Sequence, residues 1–410
     1  METTDLSNEA AKAAPMRTAI VNIKTIVSGD WRNPFVAGDT IICDGGKISF
    51  VGTGAADSVE QADVVIDAGG TVAIPGLIDS HVHITFGDYT PRQKTVGFLE
   101  SYLHGGVTTS ITASEVHVPG RPSDPAGVKA LAVAAHKCFE NFRPGGMRVH
   151  AGSIILEPGL RDKDFAEVAA QGVWLAKAGF GAVASPFDYA PLVAMAKAAG
   201  MITTLHTGGS SIPGSAAISG EHLVAIQPDV SFHINGGPTA VRDEDFRLII
   251  ENSNAALQVC TAGNLRTAIL CAELARDLDV FDRFIIATDT PTGSGIMPLG
   301  IFYTITHCAS FTDMPPEWFI CAATGSNARV YRLNSGRLAA GCDADITLID
   351  APNGGTKTSA LDAIKNGDVP AVAAVVSDGV PRFVGRSRNT PAGMRRVQVA
   401  QCRIPRDFAG

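Results

Sequence analysis

Eight times between Val72 and Asp289, a short apolar run gives way to a stretch with helical spacing. The runs are Val72–Ile84, Val107–Ala113, Met147–Leu156, Gly172–Lys177, Met201–His206, Asp229–Ile234, Ala255–Cys260 and Phe284–Asp289. Pro125–Cys138, Pro191–Ala199 and Leu265–Leu278 are typical of the intervening helices. Parallel strands cannot be joined by tight turns and need a crossover, usually a helix, so this alternation predicts an α/β fold. Eight repeats in about 260 residues fit a (β/α)8 TIM-like barrel. A doubly wound open sheet is the alternative. No G-x-G-x-x-G follows a strand and opens a helix, which removes its usual dinucleotide-binding form. The flanks read differently. Thr18–Val27, Thr40–Cys43, Lys47–Val51 and Val64–Ile66 precede the barrel as antiparallel strands. Gly336–Leu338, Gly341–Asp350 and the hairpin Val372–Val376/Pro381–Val384, turning at Gly379, follow it. Both ends are expected to join in one small β-sandwich. The expected division is a disordered tail over 1–16, sandwich over 17–72, barrel over 73–334, and sandwich with its tail over 335–410.

Apolar residues make up 45% of the 410 and charged residues 18%, enough to build a large core. A formal net charge of −8 argues against nucleic acid or an anionic membrane as a partner. The eight cysteines are scattered and form no C-x-x-C pair, which points to reduced thiols in the cytoplasm. No 18-residue apolar window exists, so no membrane span is expected. The first 17 residues lack the apolar core of a signal peptide.

The chemistry concentrates at strand ends. In a strand, residues i and i+2 share a face, so His81 and His83 are expected to project together, with Asp79 behind them. Two imidazoles so placed can hold a metal ion. With 10 histidines, chance alone supplies such a pair in about one chain in four of this length. The pair gains weight from position. Lys177, His206, His233 and Asp289 each end a later run, and barrel active sites sit at the C-terminal ends of strands. Asp289 could instead cap a helix before Pro291. His104, His136, His150, His222 and His307 lie within elements and receive no role, and His117 is a weak rim candidate.

His81-x-His83, the single His206 and His233, Asp289 and the tail Gly336…Gly341-x-Asp343-Ala344-Asp345 resemble the metal-dependent amidohydrolase superfamily over nearly the whole chain. Three stretches are similar to its enamidase-like group of cyclic-amide hydrolases. They are His206–Ser215, His233–Ala240 and Asp289-x-Pro291-Thr292-Gly293. The resemblance implies two divalent ions, zinc first and iron or manganese next, held by His81, His83, His206, His233 and Asp289. It also implies a hydroxide and an anionic side chain at the end of strand 4 bridging them. In the enamidase-like group that side chain is Glu, and here it is Lys177, a departure. A lysine cation cannot bridge two cations, but its carbamate with CO2 is in effect a long carboxylate. Burial assists the deprotonation that the addition requires. If Lys177 is only an exposed helix-start residue, Glu157 or nothing supplies the bridge.

The implied reaction is attack of the bridging hydroxide on a lactam carbonyl, with Asp289 as general base and then acid. The implied substrate is a small carboxylated ring such as 6-oxo-1,4,5,6-tetrahydronicotinate, whose freed enamine hydrolyses on to an aldehyde and ammonia. Tyr89, Arg92, Ser210, Ser211, Asn235 and Thr239 lie on rim loops and are candidate substrate contacts. The Gly-rich loop after His206 lacks the Lys and Thr of a P-loop and is expected to wrap substrate. The alternatives are another cyclic amide or imide hydrolase (dihydropyrimidinase- or imidazolonepropionase-like), a mononuclear deaminase, or an inactive structural barrel. The family often forms homotetramers.

Overall fold

The structure is a computed structural model and describes residues 16–87, 92–116, 120–211, 215–236, 239–291 and 295–403. Side chains are described from Thr95 onward in the helix that opens at Arg92. Residues 1–15 of the expected tail, Tyr89, His117 and the Arg92 side chain therefore lie outside the described residues.

The barrel strands are β1 (Leu77–Val82), β2 (Val107–Thr112), β3 in two pieces (Arg148–His150 and Ser153–Ile155), β4 (Leu175–Ala178), β5 (Ile202–His206), β6 (Val230–Phe232), β7 (Ala256–Cys260) and β8 (Phe284–Ala287). Consecutive strands pair in parallel from β1 to the first piece of β3, and from its second piece to β8. A helix follows every strand, from Arg92–His104 after β1 to Gly300–Phe311 after β8. The ring closes where Val82 bridges Thr290 in parallel, His83 N donates to Thr290 O (2.9 Å) and Asp289 N donates to His81 O (2.9 Å). The interior is packed by Ile78, Leu175, Ile202, Val230, Phe232, Ala256 and Ile285, with Tyr331 beneath them. A larger apolar layer lies between strands and helices.

Both chain ends contribute to two further sheets. One orders Gln398–Cys402, Val64–Asp67, Arg17–Val21, Thr40–Asp44 and Lys47–Gly52. The other orders Val380–Val384, Ala371–Ser377, Ile346–Asp350, Val72–Pro75, Thr25–Val27 and Phe35–Val36. The apolar cluster between them draws on both ends, for example Ile20, Ile41, Ile346 and Val376.

Five strand readings change. The run Val72–Ile84 is two strands: Pro75 has no N–H to continue a ladder, and Gly76 N bonds to Asp345 O whereas Leu77 N bonds to Gly106 O, so the chain passes here from the sandwich to the barrel. Thr18–Val27 also divides between the two sheets, at Asn22, which takes φ 57°. Gly336–Leu338 is not a strand, and only Ile346–Asp350 of the following run is one. Met147–Leu156 breaks at Gly152, where φ is 100° and a Cβ would lie 2.7 Å from His136 Cβ in the packed helix.

That break has its own repair. Glu115, buried just after β2, accepts from Gly152 N (2.7 Å) and Ser153 N (3.1 Å), while its own N–H donates to Ser153 O. Thr112 Oγ1 (2.6 Å) and Thr85 Oγ1 complete its shell. A carboxylate thus replaces the missing β2–β3 ladder bonds. Glu115→Ala would leave two buried backbone donors unpaired, and we expect a loss of about 3 kcal/mol in denaturant-measured stability. A loss under about 1 kcal/mol would show that the ladder does not depend on this side chain.

Candidate active site

The barrel brings His81, His83, Lys177, His206, His233 and Asp289 to one end of its interior, all of them buried. Strand parity accounts for three. Leu175 and Lys177 on β4, and Ile202, Thr204 and His206 on β5, follow the inward period of two, and Asp289 continues Ile285 and Ala287 beyond β8. His233 follows the inward Phe232, and a positive φ of 35° re-aims it; Asp289 likewise takes φ 59°. Such conformations cost of order 1–3 kcal/mol in non-glycine residues and collect at functional sites. On β1, pairing with β2 shifts register between Asp79 and Val82. This bulge breaks the simple i, i+2 rule. Asp79 does not sit behind the histidines as a partner of their rings. Its carboxylate accepts from Thr288 Oγ1 (2.5 Å) and Thr288 N (3.0 Å), bracing the turn that carries Asp289.

Asp289 Oδ1 is the meeting point, 3.0 Å from His81 Nε2 and 3.2 Å from His83 Nε2. The ligand atoms of these three residues lie within 4.8 Å of one another. Opposite them, His206 Nδ1 lies 3.1 Å from His233 Nε2. The outer nitrogens have partners of their own. His206 Nε2 donates to Gly209 O (2.9 Å), His233 Nδ1 to Thr207 O (3.0 Å), and His81 Nδ1 to Gln258 Oε1 (2.8 Å).

Burial lowers the pKa of His81 and of His206 to about 4 and that of His233 well below its usual range. Each is a neutral imidazole at pH 7, with one N–H already spent on its outer acceptor. Their inner nitrogens therefore present lone pairs: those of His206 and His233 to each other, and that of His81 to the Asp289 carboxylate. Burial pushes the Asp289 pKa up, whereas positive charge or N–H donation from His81 and His83 pulls it well below its usual range; with lone pairs on the inner nitrogens, a bound cation would take over that role. Lone pairs packed at about 3 Å repel unless a cation neutralises them. The donor set fits divalent metal ions, with neutral imidazoles and an ionised carboxylate as ligands.

Lys177 is fully buried and its Nζ has no hydrogen-bond partner among the described residues. It lies 4.0 Å from the Phe232 ring centroid, and that ring stacks on His81 (centroids 3.9 Å apart). Burial lowers the Lys177 pKa to about 7, with Asp289 opposing. The exposed-lysine reading is thereby excluded. Glu157 is engaged elsewhere, paired with Arg121 and accepting from Ala182 N (2.7 Å).

Two rim loops form one wall. Gly209 N donates to Thr239 O, and a Cβ on Gly208 would lie 2.5 Å from that same oxygen, so the backbones meet where only glycine fits. Ser210 is exposed and Ser211 half-buried on this wall. Thr239 packs its side chain against Gly209. The Asn235 amide is committed to backbone, donating to Cys260 O and Asn264 O and accepting from Cys260 N. Gln258 was missed in the sequence, although alternation with Ala256 on β7 marks it as an inward polar residue in an apolar strand.

Residues 72–382 match the family model described as "Amidohydrolase family". This chain belongs to the amidohydrolase family. Members typically depend on divalent metal ions. The amidohydrolase is 42% identical to an enamidase of Eubacterium barkeri, over 93% of this chain and 99% of that relative. It also superposes on a crystal structure of enamidase with a TM-score of 0.88, covering 93% and 100% of the two chains. An imidazolonepropionase of Mycolicibacterium smegmatis is 26% identical over 83% of this chain and 89% of its own.

A buried unpartnered lysine burdens the metal-free amidohydrolase. The unfolded chain holds the Lys177 proton up to its ordinary value of 10.5, whereas the folded chain releases it near 7. Between these values the unfolded state binds more protons, so stability rises with pH. In metal-free, bicarbonate-free buffer, Lys177→Met should be more stable than wild type by on the order of 3 kcal/mol at pH 7, with the advantage fading toward pH 10. Denaturant midpoints across that range check it; equal midpoints at pH 7 would contradict the assignment.

Proposed function

We propose that this amidohydrolase opens small cyclic amides by hydrolysis, with a carboxylated six-membered lactam as its preferred ring. The observation that carries the chemistry is the gathering of four buried imidazoles and one carboxylate at one end of the barrel: His206 faces His233 at 3.1 Å, and His81 and His83 lie 3.0 and 3.2 Å from Asp289. The similarity to enamidase along nearly its full length supports the substrate class.

His81, His83 and Asp289 would hold one divalent ion, and His206 and His233 a second, with zinc the first choice for both. Bound there, such ions supply Lewis acidity toward the amide carbonyl and lower the pKa of water toward neutrality. Lys177, whose pKa is lowered to about 7 in this pocket, would add CO2 through its neutral amine and release one proton to solvent, giving a carbamate whose two oxygens face the same space. Asp289 takes the proton of the attacking water on its carboxylate and passes it to the ring nitrogen as the C–N bond breaks. If that nitrogen belongs to an enamide, the released enamine tautomerises to an imine, and a second water yields ammonia and an aldehyde. The wall formed by Gly208, Gly209 and Thr239, whose backbone groups bond to one another, to Ile218 and to His206, leaves room for the ring, with the exposed Ser210 beside it as a polar group for the carboxylate.

Among the described residues no helix is long and apolar enough to cross a membrane. We place the enzyme in the cytoplasm as a homotetramer, the first from its scattered cysteines and the second from the family resemblance.

The deciding experiment is a panel of cyclic amides and imides incubated with metal-reconstituted enzyme, read by ammonia release and loss of ring ultraviolet absorbance. Carboxylated lactams are expected to turn over. Activity confined to neutral imides or hydantoins would overturn the substrate reading and leave the family standing. Elemental analysis should approach two divalent ions per chain. Asp289→Asn should keep most of the bound metal while kcat falls roughly 10²-fold or more, the scale of a lost general base. Near-normal kcat in that variant would remove Asp289 from the chemistry.

A further inference from the structure

Three imidazoles of the site have their tautomer set from behind, and they do not use the same kind of group. His206 and His233 donate to backbone carbonyls, of Gly209 and Thr207. His81 donates to a side chain, that of Gln258. Gln258 is fully buried on β7, 177 positions away in sequence. Its amide is held from the other end, where Nε2 donates to Ser80 Oγ at 3.0 Å. With Nε2 on Ser80, Oε1 faces His81 Nδ1 at 2.8 Å. The ring is clamped from the side as well, stacked on Phe232 at 3.9 Å between centroids. Nothing about packing requires an amide here. The neighbouring inward residues are Ala256 on the same strand, Val230 and Phe232 on β6, and Ile285 on β8. A buried glutamine among them costs desolvation that its two hydrogen bonds must offset.

We propose that Gln258 is the positioning residue of the metal site: it fixes His81 as the Nδ1–H tautomer, so that the Nε2 lone pair faces Asp289 and the metal. This rests on the metal-binding reading of His81, His83 and Asp289. The neutral tautomer with its proton on Nε2 would donate to Asp289 Oδ1, 3.0 Å away. The site would then be satisfied without a cation and would resist loading. With its Nε2 held on Ser80 Oγ, Gln258 disfavours that state, because Oε1 would face a lone pair on Nδ1. A ring partner of this kind typically accounts for a 10–100-fold change in metal affinity. The loops carrying Gly209 and Thr207 cannot be retuned by a side-chain substitution, so Gln258 is where this chain sets the affinity of its His81 side.

Two substitutions separate this role from simple packing. Gln258→Leu suits an apolar barrel interior but offers no acceptor; Gln258→Glu buries a carboxylate but keeps the acceptor. If Gln258 only fills space, Leu should be tolerated and Glu should be damaging. The proposal expects the reverse order in zinc affinity, measured by competition with a chromophoric chelator. Leu should weaken the tighter site roughly 10–100-fold, and Glu should stay within about threefold of wild type. Wild-type affinity in Gln258→Leu, or equal losses in both variants, would overturn it. The wild-type protein gives an independent reading that needs neither variant to fold. Its ring nitrogens, labelled with 15N-histidine and assigned through His81→Asn, should show His81 protonated on Nδ1 in the metal-free state; protonation on Nε2 would overturn the proposal. Wild-type protein that binds no metal would instead sink the metal-site reading, and the nitrogen shifts would still report the tautomer.

Discussion

Lone pairs crowded into a dry space govern this structure. At one end of the barrel two imidazole nitrogens face each other across 3.1 Å, two more crowd a carboxylate oxygen at 3.0 and 3.2 Å, and Lys177 comes up beside them without a hydrogen-bond partner among the described residues. None of these groups would choose this arrangement in water. The surrounding scaffold imposes it: positive φ at His233 and Asp289, the bulge in β1, the bracing of Thr288 by Asp79, and back-side acceptors that leave the rings of His81, His206 and His233 one lone pair each to offer. A site of this kind is stable in its folded form mainly when something cationic occupies it. On the metal-binding reading, occupancy and conformational stability would be linked quantities in this chain.

The barrel was legible because its signals are local and repeated. Eight runs at regular spacing constrain topology before any contact is known, and the strand-end positions of Lys177, His206, His233 and Asp289 follow from that count. What escaped the sequence depends on tertiary contact. The break in β3 arises where Gly152 presses against the helix carrying His136, and its repair by Glu115 comes from another strand. The turn of Asp79 away from the histidines arises from a bulge, which a periodicity of two cannot foresee. Asn235 reads from sequence as a rim residue, yet its amide is consumed by neighbouring backbone. Gln258 carried a usable signal, an inward polar position in an apolar strand, but only its contact with His81 gives that signal meaning.

The two β-sheets at the chain ends do more than flank the barrel. Val72–Pro75 lies in one of them, paired with Ile346–Asp350, and runs through Gly76 directly into β1. The strand that delivers His81 is thus anchored at its base by residues from the far end of the chain.

The closure of the barrel carries a consequence for biosynthesis. Asp289 N meets His81 O, and His83 N meets Thr290 O, so the seam that joins first strand to last also assembles the His81–His83–Asp289 cluster. More than 200 residues separate the two sides of that seam. A ribosome that has made β1 through β7 has made a chain with histidines but no cluster. On the metal-binding reading, loading of the His81–His83–Asp289 cluster would be a late event gated by ring closure, and a protein caught before closure would be distinguishable from a finished one by its inability to retain the ion there.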